Sequence, residues 1–307
     1  MLLVLLTKTN TMKKIAFACL SLICIIALTQ CNNPDTKTDA TADTTASQGT
    51  ANTDVASNWK IGVQMWTFRM FPFIEALDKV DSAGAKNIEA FWGQPLGEGM
   101  KDSFGIRMSA DSRAKLKEIL QKKGIKIVAM GVISPGTRDE WQKAFDLAKE
   151  FGLSYITTEP KKEFWNMIDS MGGAYGIKLA IHDHPRPNPY WTPDSVLAAI
   201  SGHSNIGACA DVGHWARNGL NPVDCLKKLE GHVYGVHLKD IKTFNDTKAE
   251  DTIVGKGVID FPPIFQELKR QNFSGMLSIE HESNWYHNMP DVKEIVQYYN
   301  TEVAKLK

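Results

Sequence analysis

No block of like charge runs through this sequence. Its 35 Lys and Arg balance 35 Asp and Glu, so the formal net charge is zero. A neutral chain without a basic cluster has no electrostatic footprint for nucleic acid. There is no Gly-x-Gly-x-x-Gly stretch, which removes the phosphate-cradling turn of a dinucleotide-binding sheet. The apolar run Ile15–Leu28 is too short and too isolated for a stable membrane span. Residues 32–57 contain almost no large apolar side chain, and such a stretch cannot offset the entropy of ordering it.

Those absences sort the N-terminal part. Lys13 and Lys14 ahead of Ile15–Leu28 read as a secretory signal, with Met12 as a second candidate start. Leu28-Thr29-Gln30-Cys31 resembles a bacterial lipoprotein signal, in which Cys31 would carry the lipid. Residues 1–31 are therefore expected to be a signal peptide of lipoprotein type, 32–57 a disordered tether, and 58–307 the folded domain. The mature protein is expected to be exported, periplasmic or held at the outer membrane through Cys31. Of the five cysteines, Cys209 and Cys225 then remain. Strand parity turns Cys209 inward while Cys225 falls on an outer helix, so no disulfide between them is expected.

From Trp59 onward about 250 residues remain, the size of a (β/α)8 barrel. Strands are predicted at 60–66, 87–92, 126–131, 155–159, 178–182, a run ending at 211, 233–237 and 276–280. Helices are predicted at 73–84, 110–123, 137–151, 163–172, 193–201, 222–229, 262–271 and 289–305. Gly ahead of most strands marks helix C-caps. Strands separated by single helices imply a parallel sheet, and eight such units favour a single closed (β/α)8 TIM barrel.

Four predicted strands are apolar until their last residue: they end in Glu159, Asp211, His237 and Glu280. In a barrel these tips converge at the C-terminal face, where barrel enzymes keep their chemistry. One imidazole with three carboxylates suits Mn2+, Co2+ or Mg2+ better than Zn2+. Parity adds His182 with His184, Lys239 with His237, and Glu282 with Glu280. Small residues one layer below, Thr157, Cys209, Gly235 and Ser278, are expected to leave room for an ion and a substrate. Trp66, Trp92, Trp165, Trp191, Trp215 and Trp285 follow strand ends closely, as aromatic faces for a sugar ring or an aglycone.

At Thr158-Glu159-Pro160, Ile181-His-Asp-His184, Asp211-Val-Gly-His214, His237-Leu-Lys-Asp240, Gly255-Lys-Gly-Val-Ile-Asp260 and Ile279-Glu-His-Glu282 the chain resembles the sugar phosphate isomerase/epimerase family of xylose isomerase-like barrels. The resemblance spans about residues 59–305. It implies one divalent ion on Glu159, Asp211, His237 and Glu280, with Glu159 and Glu280 as acid and base. It also implies His184 and His214 behind the ligands or at the substrate, and Glu89 on sugar hydroxyls; either histidine is expected to serve as the catalytic acid for a leaving oxygen. His182, Lys239, Trp66, Trp215 and Glu282 complete the expected substrate-binding set. An ion chelated by a ketone acidifies the adjacent C–H. Elimination, epimerisation and isomerisation all begin there, and the four ligands do not distinguish them.

Export argues against phosphorylated substrates. The chain looks like an exported branch acting on 3-keto-glycosides, so a 1,2-lyase expelling the aglycone is the favoured reading, with an isomerase or epimerase of a ketose as the alternative. A non-catalytic sugar-binding lipoprotein is a third reading. A nuclease on the same barrel needs histidines at the second and third strand tips, and Glu89–Trp92 and Ala129–Val132 hold none. The expected partner is a small carbohydrate, with no nucleic acid.

Overall fold

The computed structural model describes residues Val55–Leu306. The expected signal peptide, the Cys31 expected to carry lipid and the expected tether up to residue 54 lie outside the described residues. The described chain opens on a 3-10 turn, Val55–Asn58, with Ala56 buried, so packing starts within the last residues assigned to the tether. Among the described residues no helix is long and apolar enough to cross a membrane.

Eight parallel strands close into a barrel in sequence order. They are β1 (Lys60–Gln64), β2 (Asn87–Ala90), β3 (Lys126–Ile133) and β4 (Tyr155–Thr158), then β5 (Lys178–His182), β6 (Ile206–Asp211), β7 (Val233–Leu238) and β8 (Met276–Ile279). Their starts match the sequence reading wherever it set one. The ends match at His182 and Asp211 and differ elsewhere by one or two residues. The Gln64 side chain accepts the Trp66 amide at 3.1 Å and opens a 3-10 turn, Met65–Phe68, where continued strand was expected.

Helices cover the barrel: α1 (Phe73–Ser82), α2 (Ala110–Lys123), α3 (Arg138–Phe151), α4 (Trp165–Tyr175), α5 (Pro193–Ile200), α6 (Val212–Arg217), α7 (Pro222–Lys228), α8 (Phe261–Arg270) and α9 (Met289–Ala304). Local chemistry sets their limits. Ser109 caps α2 by accepting the Ser112 amide, and Gly124 ends it in the left-handed region. Thr137 and Gly152 do the same for α3. The helix α6 and two small antiparallel pairs, Pro95–Gly97 with Met100–Ser103 and Asp240–Ile241 with Asp251–Thr252, fall where the sequence reading has only loops.

The core has two parts. The larger lies between barrel and helices and holds Trp141, Phe145, Phe261 and Phe265. The smaller fills the barrel with Val128, Ala129, Tyr155, Ala180, Cys209 and Met276. Cys209 and Cys225 are both buried free thiols, as expected.

The loop after β7 is organised by one carboxylate. Asp240 accepts the amides of Ile241, Gly255, Gly257 and Ile259 at 2.8–3.2 Å. Gly255 has φ +87°, and a methyl on Gly257 would collide with the carboxylate, which explains the Gly-Lys-Gly spacing. Asp240→Ala leaves four amides without their acceptor. It should cost about 3 kcal/mol of stability, read as a lower urea midpoint and faster amide exchange at 255–259. Unchanged exchange there would show that the loop is held by other contacts.

Candidate metal centre

His182, Asp211, His237 and Glu280 come from the tips of the adjacent strands β5 to β8. Each offers one ligand atom, and these atoms all lie within 4.8 Å of one another. Asp211 Oδ2 is 3.6 Å from His182 Nε2 and 3.7 Å from His237 Nδ1, which is 2.7 Å from Glu280 Oε2. All four atoms are buried and lack a hydrogen-bond partner among the described residues. Buried polar atoms are nearly always satisfied, so four orphans facing one point fit a divalent cation.

Three of the four expected ligands are thus together, and His182 stands where Glu159 was expected. Glu159 is one step behind. Its Oε1 faces His182 Nδ1 at 3.3 Å and also contacts His184 Nδ1. Its Oε2 accepts from Asn188 at 2.8 Å. Burial alone would raise the Glu159 pKa, but the two imidazoles outweigh it and hold the carboxyl far below its usual range. Burial likewise pulls His182 down, yet Asp211 and Glu159 raise it to about 9.

Asp211 does two jobs. Its Oδ1 accepts the His214 amide at 2.9 Å and caps α6, leaving Oδ2 for the cluster. Its own amide donates to Asp183 Oδ1 at 2.8 Å, tying the tips of β5 and β6 together. Gly213 is required by close approach: a Cβ there would meet the stem of Lys239.

Lys239 was expected at the substrate. It is fully buried instead, with Nζ 3.3 Å from Asp211 Oδ2, 3.5 Å from Glu280 Oε2 and 2.7 Å from Glu282 Oε1. Burial opposes its charge, but the three carboxylates raise its pKa well above the usual value. It neutralises the carboxylates rather than lining the cavity.

Glu89 was expected on sugar hydroxyls, but the structure places it beneath the cluster. It is wholly buried, and its Oε2 takes hydrogen bonds from His237 Nε2 at 2.9 Å and Ser278 Oγ at 3.1 Å. That fixes the His237 tautomer with Nδ1 toward the ligand cluster. The room left by the small residues of this layer is therefore taken by protein side chains. Ser278 bonds Glu89, and a Cβ on Gly235 would strike the Tyr155 hydroxyl.

Above the cluster opens a cavity of about 460 Å3, lined by Trp66, His184, His214, Arg217, Glu280 and Glu282 among others. His214 Nε2 lies 3.2 Å from Lys239 Nζ and Nδ1 lies 3.0 Å from Arg217 Nη1. Burial above all, with the Lys239 ammonium adding to it, holds the His214 pKa well below the usual imidazole value. A neutral ring offers these two cations a single acceptor nitrogen and is a poor proton donor. His184 is better placed to reach a substrate: Glu159 orients Nδ1, the side chain is 46% exposed, and Nε2 has no partner among the described residues.

Of the aromatics, Trp66 lines the cavity, donates to Glu282 at 3.1 Å and carries Arg69 over one face. Trp215 is buried in the core and offers no face to a ligand. Sequence reasoning missed Asn188, Arg217 and Asp251. Asp251 bonds Arg217 and accepts the Glu282 amide at 2.8 Å. Arg217 had a signal, three residues after His214 on one helix face; Asn188, in a loop, had none.

Comparison with known proteins agrees with the fold. The family model described as xylose isomerase-like TIM barrel matches residues 77–301. An inosose dehydratase of Clostridium botulinum is 30% identical over 134 residues, 39% of this chain and 45% of that protein. The chain thus spans about half the length of the curated relatives it matches. Among solved structures, an uncharacterised protein of Parabacteroides distasonis is 34% identical, with 80% of this chain and 99% of that one covered and a TM-score of 0.66. The IOLI protein with a bound zinc atom shares the fold at 19% identity, with 81% and 99% covered and a TM-score of 0.67.

Proposed function

The chain belongs to the xylose isomerase-like TIM-barrel family, and on that premise we propose that it is a metal-dependent enzyme of keto-sugars that works by elimination. The observation that carries this reading is the group of four buried, unpartnered ligand atoms beneath an open cavity. Asp211, His237, Glu280 and His182 would hold the ion. Two imidazoles and two carboxylates suit zinc as well as manganese or cobalt, which removes the sequence-based preference for a harder ion. When bound, the ion would draw electron density from a ketone oxygen and acidify the neighbouring C–H.

The residues then divide the work. Glu280, on the cavity wall, takes the proton from the carbon beside the ketone. The electron pair left behind becomes a C=C bond as the next carbon releases its oxygen substituent. His184, oriented by Glu159, protonates the departing oxygen. Lys239 and Arg217 keep the surrounding carboxylates charged and in place. The curated inosose dehydratase supports elimination as the outcome, since loss of water is an elimination. The favoured substrate is an unphosphorylated 3-keto-glycoside, in keeping with the expected export of the chain.

The test is a 3-keto-glycoside with a chromogenic aglycone, beside its unoxidised counterpart, with and without added metal. Metal-dependent release from the keto compound alone is expected. No release, with solvent deuterium appearing in a recovered ketose, would overturn elimination in favour of an isomerase or epimerase.

A further inference from the structure

A second cleft continues from the cavity above the ligand cluster. It has about 450 Å3 and shares Val132 with the first. Trp92, Ile106, the turn Ser134-Pro135-Gly136 and Glu140 form its walls. A third hollow, of about 460 Å3, shares Trp92, Ile106 and Glu140 with the second. The three make one groove running from the metal centre across the tips of β3 and β2.

We propose that this groove is a subsite for a second pyranose ring, so that the substrate is a disaccharide-like glycoside whose leaving group is itself a sugar. The proposal rests on the elimination reading and adds to it where the departing group sits. Three features point to a sugar. The first is Trp92. Of the tryptophans near strand tips, Trp66 and Trp285 stack on Arg69, Trp191 lies under Arg186, Trp165 faces Lys162 and Trp215 is buried. Among the described residues no cation lies over Trp92; Gly105 backs one side of its pyrrole ring, and the indole borders both outer hollows. An indole face suits the C–H face of a pyranose.

The second feature is rigidity. Gly105, at φ +148°, lets the chain pass so close to the Trp92 indole that a Cβ there would lie 2.9 Å from its Nε1. The turn after β3 is pinned from both sides. Glu140 Oε2 accepts the Gly136 amide at 2.9 Å, and Ser134 Oγ donates to the Glu159 carbonyl at 2.9 Å. The groove wall is thus built, and it is tied to the strand tip that carries Glu159. The third feature is Glu140 itself, half-buried beside the indole. A carboxylate there accepts hydrogen bonds from sugar hydroxyls, which a plain aryl group does not offer.

The experiment compares metal-loaded full-length protein with its Trp92→Ala and Glu140→Gln variants on three substrates: the 3-keto derivatives of methyl glucoside, nitrophenyl glucoside and cellobiose. The wild type should prefer 3-keto-cellobiose to the methyl compound by kcat/KM. Trp92→Ala should lose about tenfold on 3-keto-cellobiose and little on the methyl compound. Glu140→Gln, which keeps an oxygen for Gly136, should lose several-fold on the disaccharide alone. Equal losses on all substrates, no wild-type preference, or a Trp92 dependence confined to the nitrophenyl compound would overturn the subsite. If the wild type turns over none of the three, the elimination reading fails while the subsite stays testable. Unoxidised cellobiose should then still bind more tightly than methyl glucoside by calorimetry, and Trp92→Ala should erase the difference; a difference that survives in that variant overturns the subsite.

Discussion

Glu159→Gln should bind its full complement of metal at saturating ion and yet lose turnover by roughly 10^2- to 10^4-fold. In the structure Glu159 contacts both His182 and His184 without joining the four-atom group. Without its charge Glu159 no longer holds His184 Nδ1 as firmly, and the imidazole loses its fixed orientation. Metal affinity should weaken by about 10- to 100-fold, because a carboxylate behind a ligating imidazole supports the ligand. Asp211→Ala should behave differently and lose both metal and turnover. Metal content after gel filtration in excess ion, beside kcat on the keto substrate, separates the two. If Glu159→Gln comes off the column empty while His182→Asn stays loaded, Glu159 is the fourth ligand, as the family resemblance implies, and the arrangement seen here must rearrange on binding.

Stripping the metal should lower the melting temperature by roughly 10 °C near pH 8. An ion at about a thousand times its Kd adds about 4 kcal/mol, and a domain of this size gains about 2–4 °C per kcal/mol. The gap should widen with pH. In the metal-free protein His182 titrates at about 9, above its ordinary 6.5. Burial lowers that pKa, and Asp211 and Glu159 more than reverse it. A raised folded-state pKa contributes stability that is complete below the unfolded value and is lost as pH climbs through the folded one. Metal-free protein should therefore weaken between about pH 6.5 and 9. The loaded form has already lost that proton to the ion and should not follow. Thermal scans of both forms from pH 6 to 9.5 check this. Parallel curves would mean that His182 is not displaced from its proton, and so is not a ligand.

The barrel was legible because its signals are local and repeated. Ser109 and Gly124 bracket α2 to the residue, and strands such as Lys178–His182 are set by apolar runs between a cap and a polar tip. The convergence of Asp211, His237 and Glu280 followed from parity and parallel packing. Depth was not legible. Parity turns Glu89 inward, but only the neighbouring strands decide whether it meets a substrate or, as here, His237 from across the barrel. Lys239 shares the face of His237 as parity requires, yet its burial depends on the space left by Gly213 on another strand's helix. The tryptophans follow strand ends as read, but cations such as Arg69 and Arg186 claim the faces of several. Contacts between residues far apart in sequence leave no periodic trace.

Asp211 closes β6, caps α6 with one oxygen and faces the cluster with the other. These duties make demands that only one side chain meets. Asparagine would preserve the cap and surrender the charge. Glutamate would keep the charge but reach a methylene too far to cap the same turn. Either substitution reaches His214 and Arg217, because both ride on the short helix that this carboxylate starts. Position 211 is therefore closed to gradual drift. A descendant with a different donor there would have to rebuild the helix and the cavity wall together, whereas the groove past Val132 can change residue by residue. Variation among close relatives should accordingly gather in that groove and leave position 211 alone.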